Sequence, residues 1–317
     1  MRHKKQSEKV QNCGLTVEKA VSDFLKNIER KTKESTFARY SFISERHIIP
    51  YFTGIHLDNV DNETVNDFIR YKIEKGSLDE RPMSPKTVND IVSLLMQIIK
   101  NSCQLDLNVD KPSYRQKDIS IFTEAEYNQF KAYILTCIDN KKLGIIIAML
   151  TGIRIGELCA LKWEDVNLED GIISIDKTIQ RVKNTNGSEA RKTKIIIDTP
   201  KSSTSVRMIP VPSILLQKLK EFKSLDDDYI LTNTEKFIEP RVYQRHFKSY
   251  LRDCKIKERK FHTIRHTFAT MAVSRGMDIK TLSLLLGHSD VGFTMKRYVH
   301  PNIEHKKIQI EKLAVGF

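Results

Sequence analysis

The sequence has few cysteines and no long hydrophobic run. Its five cysteines are widely spaced among 317 residues, and none forms a C-x-x-C pair. This usage argues against both a disulfide framework and a zinc site. The longest apolar run, LGIIIAML over residues 143–150, is far too short to cross a membrane. No apolar segment follows the basic start MRHKKQSEKVQ, so no signal peptide is predicted and the expected location is the cytoplasm.

Negative charge is scarce relative to positive charge. The chain has 53 Lys and Arg against 40 Asp and Glu, a formal net charge of +13. Such an excess creates a positive field that attracts polyanions, of which nucleic acid is the commonest. Neither a cluster of carboxylates nor a phosphate-binding P-loop is present, so the sequence implies no metal ion, no ATP and no other cofactor.

Helical patterns account for the first third of the chain. Asn62 and Ser84 are plausible N-caps, Pro85 suits a first helical turn, and Pro50 should end the second helix. We expect helices over residues 15–28, 33–50, 62–75 and 84–103. Residues 105–120 have no hydrophobic period and mix Pro, Asp, Ser and Lys, which is typical of a linker.

The second part of the chain mixes helix and strand patterns. A capping box of Thr123 and Glu126 begins another helix. β-branched runs lie in GIISIDKTIQRV, RKTKIIIDTP and SVRMIPVP, and helical patterns return from Ser213. The predicted fold is mainly α with a small antiparallel β-sheet, in two domains. The predicted divisions are a basic tail over residues 1–14, an all-helical domain over 15–104, the linker over 105–120, and a mixed α+β domain over 121–317 with a C-terminal tail over 301–317.

Two basic residues in the middle of the chain are candidates for binding a phosphate. In TGIRIGELCALKWEDV, Gly152 can end one helix in the left-handed conformation and Arg154 then lies at the junction with the next. An arginine there suits bidentate binding of a phosphate, and Glu157 could hold its guanidinium. Lys201 falls at the turn between two strand patterns, where its ammonium group could reach a bound nucleic acid strand; Lys192 and Lys194 lie nearby.

Histidines and a tyrosine complete the set of candidates near the C-terminus. In FHTIRHTFATMA, His262 and Arg265 are three residues apart and share a helix face. A metal site at His262 and His266 is disfavoured because Thr263 replaces the glutamate of H-E-x-x-H and Arg265 would repel a cation. In LLGHSDVGFTMKRYVH, Gly287 ends a helix, His288 follows and Tyr298 comes ten residues later.

These side chains together suit attack on a phosphodiester. Tyr298 would be the nucleophile, and because a phenol has a pKa near ~10 it needs a base and positive surroundings. His262 is the natural base, Arg154 and Arg265 would stabilise the transition state, and Lys201 could protonate the departing oxygen.

The order Arg, hairpin Lys, His-x-x-Arg, His, Tyr resembles the tyrosine recombinase (phage integrase) family, including Xer recombinases and conjugative-transposon integrases. The segments TGIRIGEL, HTIRHTFAT and LLGHSD are similar to the sequence motifs usual in this family. The resemblance covers nearly the whole chain and implies catalytic roles for six residues, namely Arg154, Lys201, His262, Arg265, His288 and Tyr298, with Glu157 in support and no metal.

The resemblance also implies a function and partners. A site-specific recombinase of this kind cleaves double-stranded DNA at specific sites through a 3′-phosphotyrosyl intermediate and exchanges strands through a Holliday junction. The resemblance implies a homotetramer in the synaptic complex, a helical core-binding domain at residues 15–104, a directionality factor as a further partner, and a C-terminal tail that docks on a neighbouring protomer. Only about a dozen residues precede the first helix, so a separate arm-binding domain is not expected. A non-catalytic DNA-binding regulator and a type IB topoisomerase are the alternatives.

Overall fold

The structure is a computed structural model that describes residues 14–76, 81–114, 119–184, 192–199, 205–298, 307 and 310–311. The chain divides into two compact units. The first comprises residues 1–117 together with 181–194, and the second comprises residues 118–180 together with 195–317. Both are mainly helical, and small antiparallel sheets accompany the helices, so the predicted fold class is confirmed.

In the described part of the first unit, five helices surround one hydrophobic core. Thr16 caps the first helix by accepting a hydrogen bond from Lys19 N, and Ser84 caps the last in the same way from Thr87 N, with Pro85 in its first turn as predicted. All five helices contribute side chains to the core. They are α1 (Val17–Glu29), α2 (Glu34–Ile43), α3 (Ile49–Phe52), α4 (Asn62–Glu74) and α5 (Pro85–Cys103).

Three details of the first unit differ from the sequence expectations. The helical path continues through a π turn at Ser44–Ile48 into α3, where Pro50 lies in the first turn, a position that requires no N–H donor. The N-cap of α4 is Asp61, whose carboxylate accepts a hydrogen bond of 2.9 Å from Thr64 N. Cys103 is disulfide-bonded, a pairing that spacing along the chain could not indicate.

The described part of the second unit includes eight helices. The capping box at the start of α6 is confirmed, since Thr123 N donates to Glu126 and Glu126 N donates to Thr123. The apolar run over residues 143–150 lies in α7, which is almost entirely buried. The helices are α6 (Glu124–Leu135), α7 (Asn140–Thr151), α8 (Ile155–Ala160), α9 (Ser213–Phe222), α10 (Pro240–Asp253), α11 (His262–Ser274), α12 (Ile279–Leu286) and α13 (Val291–Tyr298).

The described residues contain two small sheets, built from the predicted strand patterns together with a short strand, Val166–Asn167, that the sequence did not predict. β1 (Val166–Asn167), β2 (Ile172–Ile175) and β5 (Arg207–Pro210) form an antiparallel sheet in the order β1-β2-β5. β3 (Thr178–Lys183) and β4 (Thr193–Asp198) pair with each other. Along the parts of the chain that the structure describes, no helix is both long and apolar enough to cross a membrane.

Candidate active site

The second unit places five of the predicted site residues near helix ends. Gly152 ends α7 with φ of +66°, as its position in the sequence predicted, and Arg154 directly precedes α8. Gly287 ends α12 with φ of +63°, and His288 follows it. Glycine tolerates this left-handed conformation, so the chain can turn sharply at both points. His262 and Arg265 lie in the first turns of α11, and Tyr298 is the last residue of α13.

Both predicted arginines form hydrogen bonds to the short turn after α12. Arg154 donates a hydrogen bond of 3.1 Å to the carbonyl of Gly287. Arg265 donates one of 2.6 Å to the carbonyl of Leu286, another of 2.9 Å to the carbonyl of Gly152, and a third of 2.9 Å to His288 Nε2. Backbone carbonyls therefore fix the two guanidinium groups around the turn that carries His288.

Glu157 holds two arginines from a buried position. Its side chain is only 4% exposed and accepts hydrogen bonds of 2.8 Å from Arg154 and of 2.8 and 3.2 Å from Arg207. Burial alone would raise the pKa of Glu157, but the hydrogen bonds and charges of Arg207 and Arg154 outweigh it and lower that pKa to about 2. The carboxylate is therefore ionised and neutralises part of the positive charge of the site.

Arg265 is the most deeply buried charge of the site. The residue is 1% exposed, and burial, followed by the charge of Arg154, lowers the pKa of its guanidinium to about 9. The group is still protonated at neutral pH. Its three hydrogen bonds to Gly152, Leu286 and His288 use three of the five N–H groups that a guanidinium carries, so donors remain that could bind a phosphate.

The contacts of His288 determine its tautomer. Arginine can only donate hydrogen bonds, so His288 Nε2 must accept from Arg265 and carry no proton. The proton is then on Nδ1, which donates a hydrogen bond of 2.7 Å to the hydroxyl of Thr294. Burial and the nearby arginines lower the pKa of His288 to about 4, which agrees with a neutral ring. Neutral His288 thereby couples α13, through Thr294, to Arg265.

His262 is neutral but accessible. Its side chain is exposed, and its ring lies edge-on to that of His266 with the centroids 4.4 Å apart. Partial desolvation and the charges of Arg265, Arg154 and Arg297 lower the pKa of His262 to about 4. A neutral imidazole that faces solvent is free to accept a proton from a substrate or a nucleophile.

Tyr298 is buried, and its hydroxyl hydrogen-bonds to a residue considered from the sequence only as a metal ligand. The side chain is 6% exposed and packs against Ala269, Leu282 and Leu286. The hydroxyl lies 2.7 Å from His266 Nδ1. Burial raises the pKa of Tyr298, and the charges of Arg265, Arg297 and Arg154 oppose that effect in part. The resting phenol is therefore protonated at neutral pH.

Sequence reasoning missed three residues of this network, namely Arg207, His266 and Thr294. Arg207 is a charge in the strand pattern SVRMIPVP, where a buried charge needs a partner; that was its only signal. His266 was weighed only as a metal ligand. Among the described residues no group of three or more His, Cys, Asp or Glu side chains could hold a metal. Lys201 and its turn lie outside the described residues.

Comparison with known proteins identifies the family. Residues 120–305, more than half of the chain, match the model of the phage integrase family. The chain belongs to this family. Residues 16–73 match a second model, described as the phage integrase N-terminal SAM-like domain. The chain is therefore a tyrosine-type site-specific recombinase, as the resemblance in its motifs predicted.

Individual relatives resemble the recombinase over most of its length. A XerC-like tyrosine recombinase of Caldanaerobacter subterraneus subsp. tengcongensis is 27% identical over 311 residues, which cover 89% of this chain and 74% of the relative. The Tn1549 transposon integrase, solved in complex with transposon right end DNA, is similar in fold with a TM-score of 0.74 and 20% identity, covering 95% of this chain and all of the solved one. A lambda integrase tetramer bound to a Holliday junction has a TM-score of 0.62 and 16% identity, covering 95% of this chain and 84% of the solved one.

Proposed function

We propose that this recombinase cleaves and rejoins DNA at specific sites through a 3′-phosphotyrosyl intermediate on Tyr298. The observation that carries the proposal is the turn after α12, where Arg154 and Arg265 bind the carbonyls of Gly287 and Leu286 and His288 binds Arg265. Two fixed guanidinium groups beside a tyrosine suit a phosphodiester, because they stabilise charge that develops on the phosphate oxygens.

The two guanidinium groups would act differently on that charge. The side chain of Arg154 is 35% exposed while Glu157 and Gly287 hold it, so it can bind a phosphate from solvent without a large rearrangement. Arg265 is enclosed, and a charge in an enclosed site interacts more strongly with a phosphate than a surface charge does. Glu157 and Arg207 would keep Arg154 in place before DNA binds.

The reaction requires one bond to form, one to break and two protons to move. The Tyr298 oxygen forms a bond to phosphorus, and the bond from phosphorus to the 5′ oxygen breaks. The phenol proton goes to a base, for which we propose His262, and Lys201 protonates the departing 5′ oxygen. His262 is neutral and exposed, which supports that role. The 3′-phosphotyrosine keeps the bond energy for rejoining to a new strand.

Strand exchange would follow from two such reactions on paired sites. We propose that four protomers hold two DNA sites and pass through a Holliday junction. The similarity in fold to the lambda integrase tetramer bound to a Holliday junction supports this assembly. The reaction would integrate, excise or resolve DNA elements, and a directionality factor would select among these outcomes.

The helical unit would contribute to DNA binding. We propose that residues 15–104 form the core-binding domain, residues 105–120 the linker and residues 121–317 the catalytic domain. The match of residues 16–73 to the N-terminal SAM-like domain supports the first assignment. The net charge of +13 suits contact with many phosphates.

The proposal is tested by trapping the covalent intermediate. A DNA substrate nicked next to the cleavage point loses a short fragment after cleavage, so it cannot be rejoined. We expect the intact protein to form an adduct on this substrate that resists denaturant. Tyr298→Phe should bind the same DNA and form no adduct, because its ring lacks the nucleophilic oxygen.

A matched control separates loss of the nucleophile from loss of any tyrosine. Tyr114 is 43% exposed and lies in the segment after α5, and Tyr114→Phe should form the adduct at the normal rate. An adduct in Tyr298→Phe would contradict the proposal, and so would the failure of the intact protein to form one on DNA that carries its own recombination site.

A further inference from the structure

His266 is a buried polar residue to which the mechanism above gives no role. The residue is 8% exposed, and its Nδ1 atom lies 2.7 Å from the hydroxyl of Tyr298, which is itself 6% exposed. The two ring centroids are 5.7 Å apart at an angle of 49°. Because both groups are removed from water, loss of the phenol would leave Nδ1 of His266 without this partner, whereas the phenol also has a side-chain hydrogen bond with Arg297.

The position of His266 ties the phenol to the helix that carries the phosphate-binding charge. His266 directly follows Arg265 on α11, and Arg265 is held by the carbonyls of Gly152 and Leu286. A tyrosine bound to His266 therefore lies at a fixed distance from Arg265. The charges of Arg265 and Arg154 act on the phenol, so the hydroxyl lies within the field of the proposed phosphate site.

The direction of the hydrogen bond follows from the acidity of the two groups. A phenol O–H is a stronger acid than the N–H of a neutral imidazole, so the stronger arrangement has Tyr298 as donor and Nδ1 as acceptor. Nδ1 can accept only from a neutral ring. Burial, together with His262, Arg297, Arg265 and His288, lowers the pKa of His266 to about 3, so the ring is neutral at physiological pH.

We propose that His266 is a positioning residue for the nucleophile: its Nδ1 accepts the hydrogen bond of Tyr298 and holds the hydroxyl beside Arg265 before DNA binds. The inference rests on Tyr298 being the nucleophile. The contact fixes the side-chain torsions of Tyr298, so less conformational freedom remains to be lost when the phenol approaches phosphorus. The hydroxyl must leave Nδ1 or transfer its proton as the bond to phosphorus forms, and His262 is the proposed acceptor.

The test compares two substitutions of His266 in the whole 317-residue chain. In His266→Asn the side-chain amide places an oxygen close to where Nδ1 lies, so a hydrogen bond to Tyr298 can be kept. His266→Leu has a similar volume and no acceptor. The measurement is the single-turnover rate of adduct formation on the nicked substrate at saturating DNA, with the DNA dissociation constant measured separately.

We expect His266→Leu to form the adduct about tenfold more slowly than the intact protein, the size of effect that one buried hydrogen bond has. Its DNA dissociation constant should be unchanged, and His266→Asn should recover most of the rate. If His266 only filled space, leucine would replace it better than asparagine would. Which of the two variants forms the adduct faster therefore distinguishes a positioning role from a packing role. His246→Leu removes a half-buried imidazole from α10 and should leave the rate at saturating DNA unchanged.

Three outcomes would overturn the proposal. The first is a normal rate of adduct formation in His266→Leu. The second is a faster rate in His266→Leu, which would make the contact inhibitory. The third is a rate in His266→Asn no higher than the rate in His266→Leu. The fluorescence of Trp163, the only tryptophan of the chain, reports whether each variant is folded in the second unit. Failure of the intact protein to form an adduct, or an adduct in Tyr298→Phe, would instead refute the proposed function.

Discussion

Replacing Glu157 by glutamine should destabilise the second unit in a way that depends on pH. The carboxylate of Glu157 is 4% exposed and paired with Arg207 and Arg154. Its pKa falls from the usual 4.5 to about 2, and each unit of pKa corresponds to about 1.4 kcal/mol. Ionised Glu157 therefore contributes about 3 kcal/mol to the free energy of unfolding near neutral pH. Removing one partner of a buried ion pair costs roughly 3–5 kcal/mol in general, which agrees.

The sign of the pH dependence follows from the lowered pKa. The folded state binds the proton less tightly than the unfolded state does, so the contribution of Glu157 is complete above pH 4.5 and is lost as the pH falls towards 2. Glutamine does not titrate. The difference in stability between the intact protein and Glu157→Gln should therefore be about 3 kcal/mol near neutral pH and smaller by about 1 kcal/mol near pH 3.5.

The single tryptophan provides the assay. Trp163 is 1% exposed and lies in the second unit, so its fluorescence during urea denaturation follows the unit that contains Glu157. Glu221→Gln is the matched control, because Glu221 is exposed and pairs with Lys218 on its own helix, and exposed pairs contribute little. The reasoning would be refuted if the difference in the free energy of unfolding between the intact protein and Glu157→Gln stayed constant with pH. An equal loss of stability in Glu221→Gln would also refute it.

Three further predictions concern DNA. A substrate with a 5′-bridging sulfur, whose leaving group needs no proton, should rescue cleavage by Lys201→Ala and not by Arg154→Ala; equal rescue of both, or of neither, would assign the general acid to another residue. The affinity of the intact chain for its site should fall steeply and linearly on a logarithmic scale as salt rises, and an affinity indifferent to salt would contradict binding through phosphates. Deleting residues 303–317 should leave binding to a single site largely intact while reducing synapsis and strand exchange; normal recombination by the shortened protein would show that the tail has no such role.

Local signals were sufficient to predict much of the fold. Ser84 and Pro85 marked the start of α5 because capping depends on neighbouring residues alone. Gly152 marked the end of α7 because the left-handed conformation favours glycine. β1 could not be predicted, since a strand of two residues has no period to detect and is held by its pairing with β2. The π turn at Ser44–Ile48 was also missed, because a single π turn inside a helical path has no sequence period of its own.

Some features of the candidate site could likewise be predicted from the sequence and others could not. The types and order of its residues could be predicted because each lies in a local motif, such as HTIRHTFAT for His262 and Arg265. The contacts between them could not, since Arg207 reaches Glu157 across 50 positions and His266 reaches Tyr298 across 32. Burial is a property of the assembled unit, so the lowered pKa of His266 was also beyond sequence reasoning.

The most direct test of the account identifies the residue that joins DNA. The trapped adduct of the intact protein would be digested with protease and nuclease, and the peptide that carries a nucleotide would be sequenced by mass spectrometry. The account predicts one modified peptide, with a 3′-phosphate esterified to Tyr298 and a free 5′-hydroxyl on the other DNA fragment. A nucleotide on any other residue, or a phosphate left on the 5′ side of the break, would contradict it.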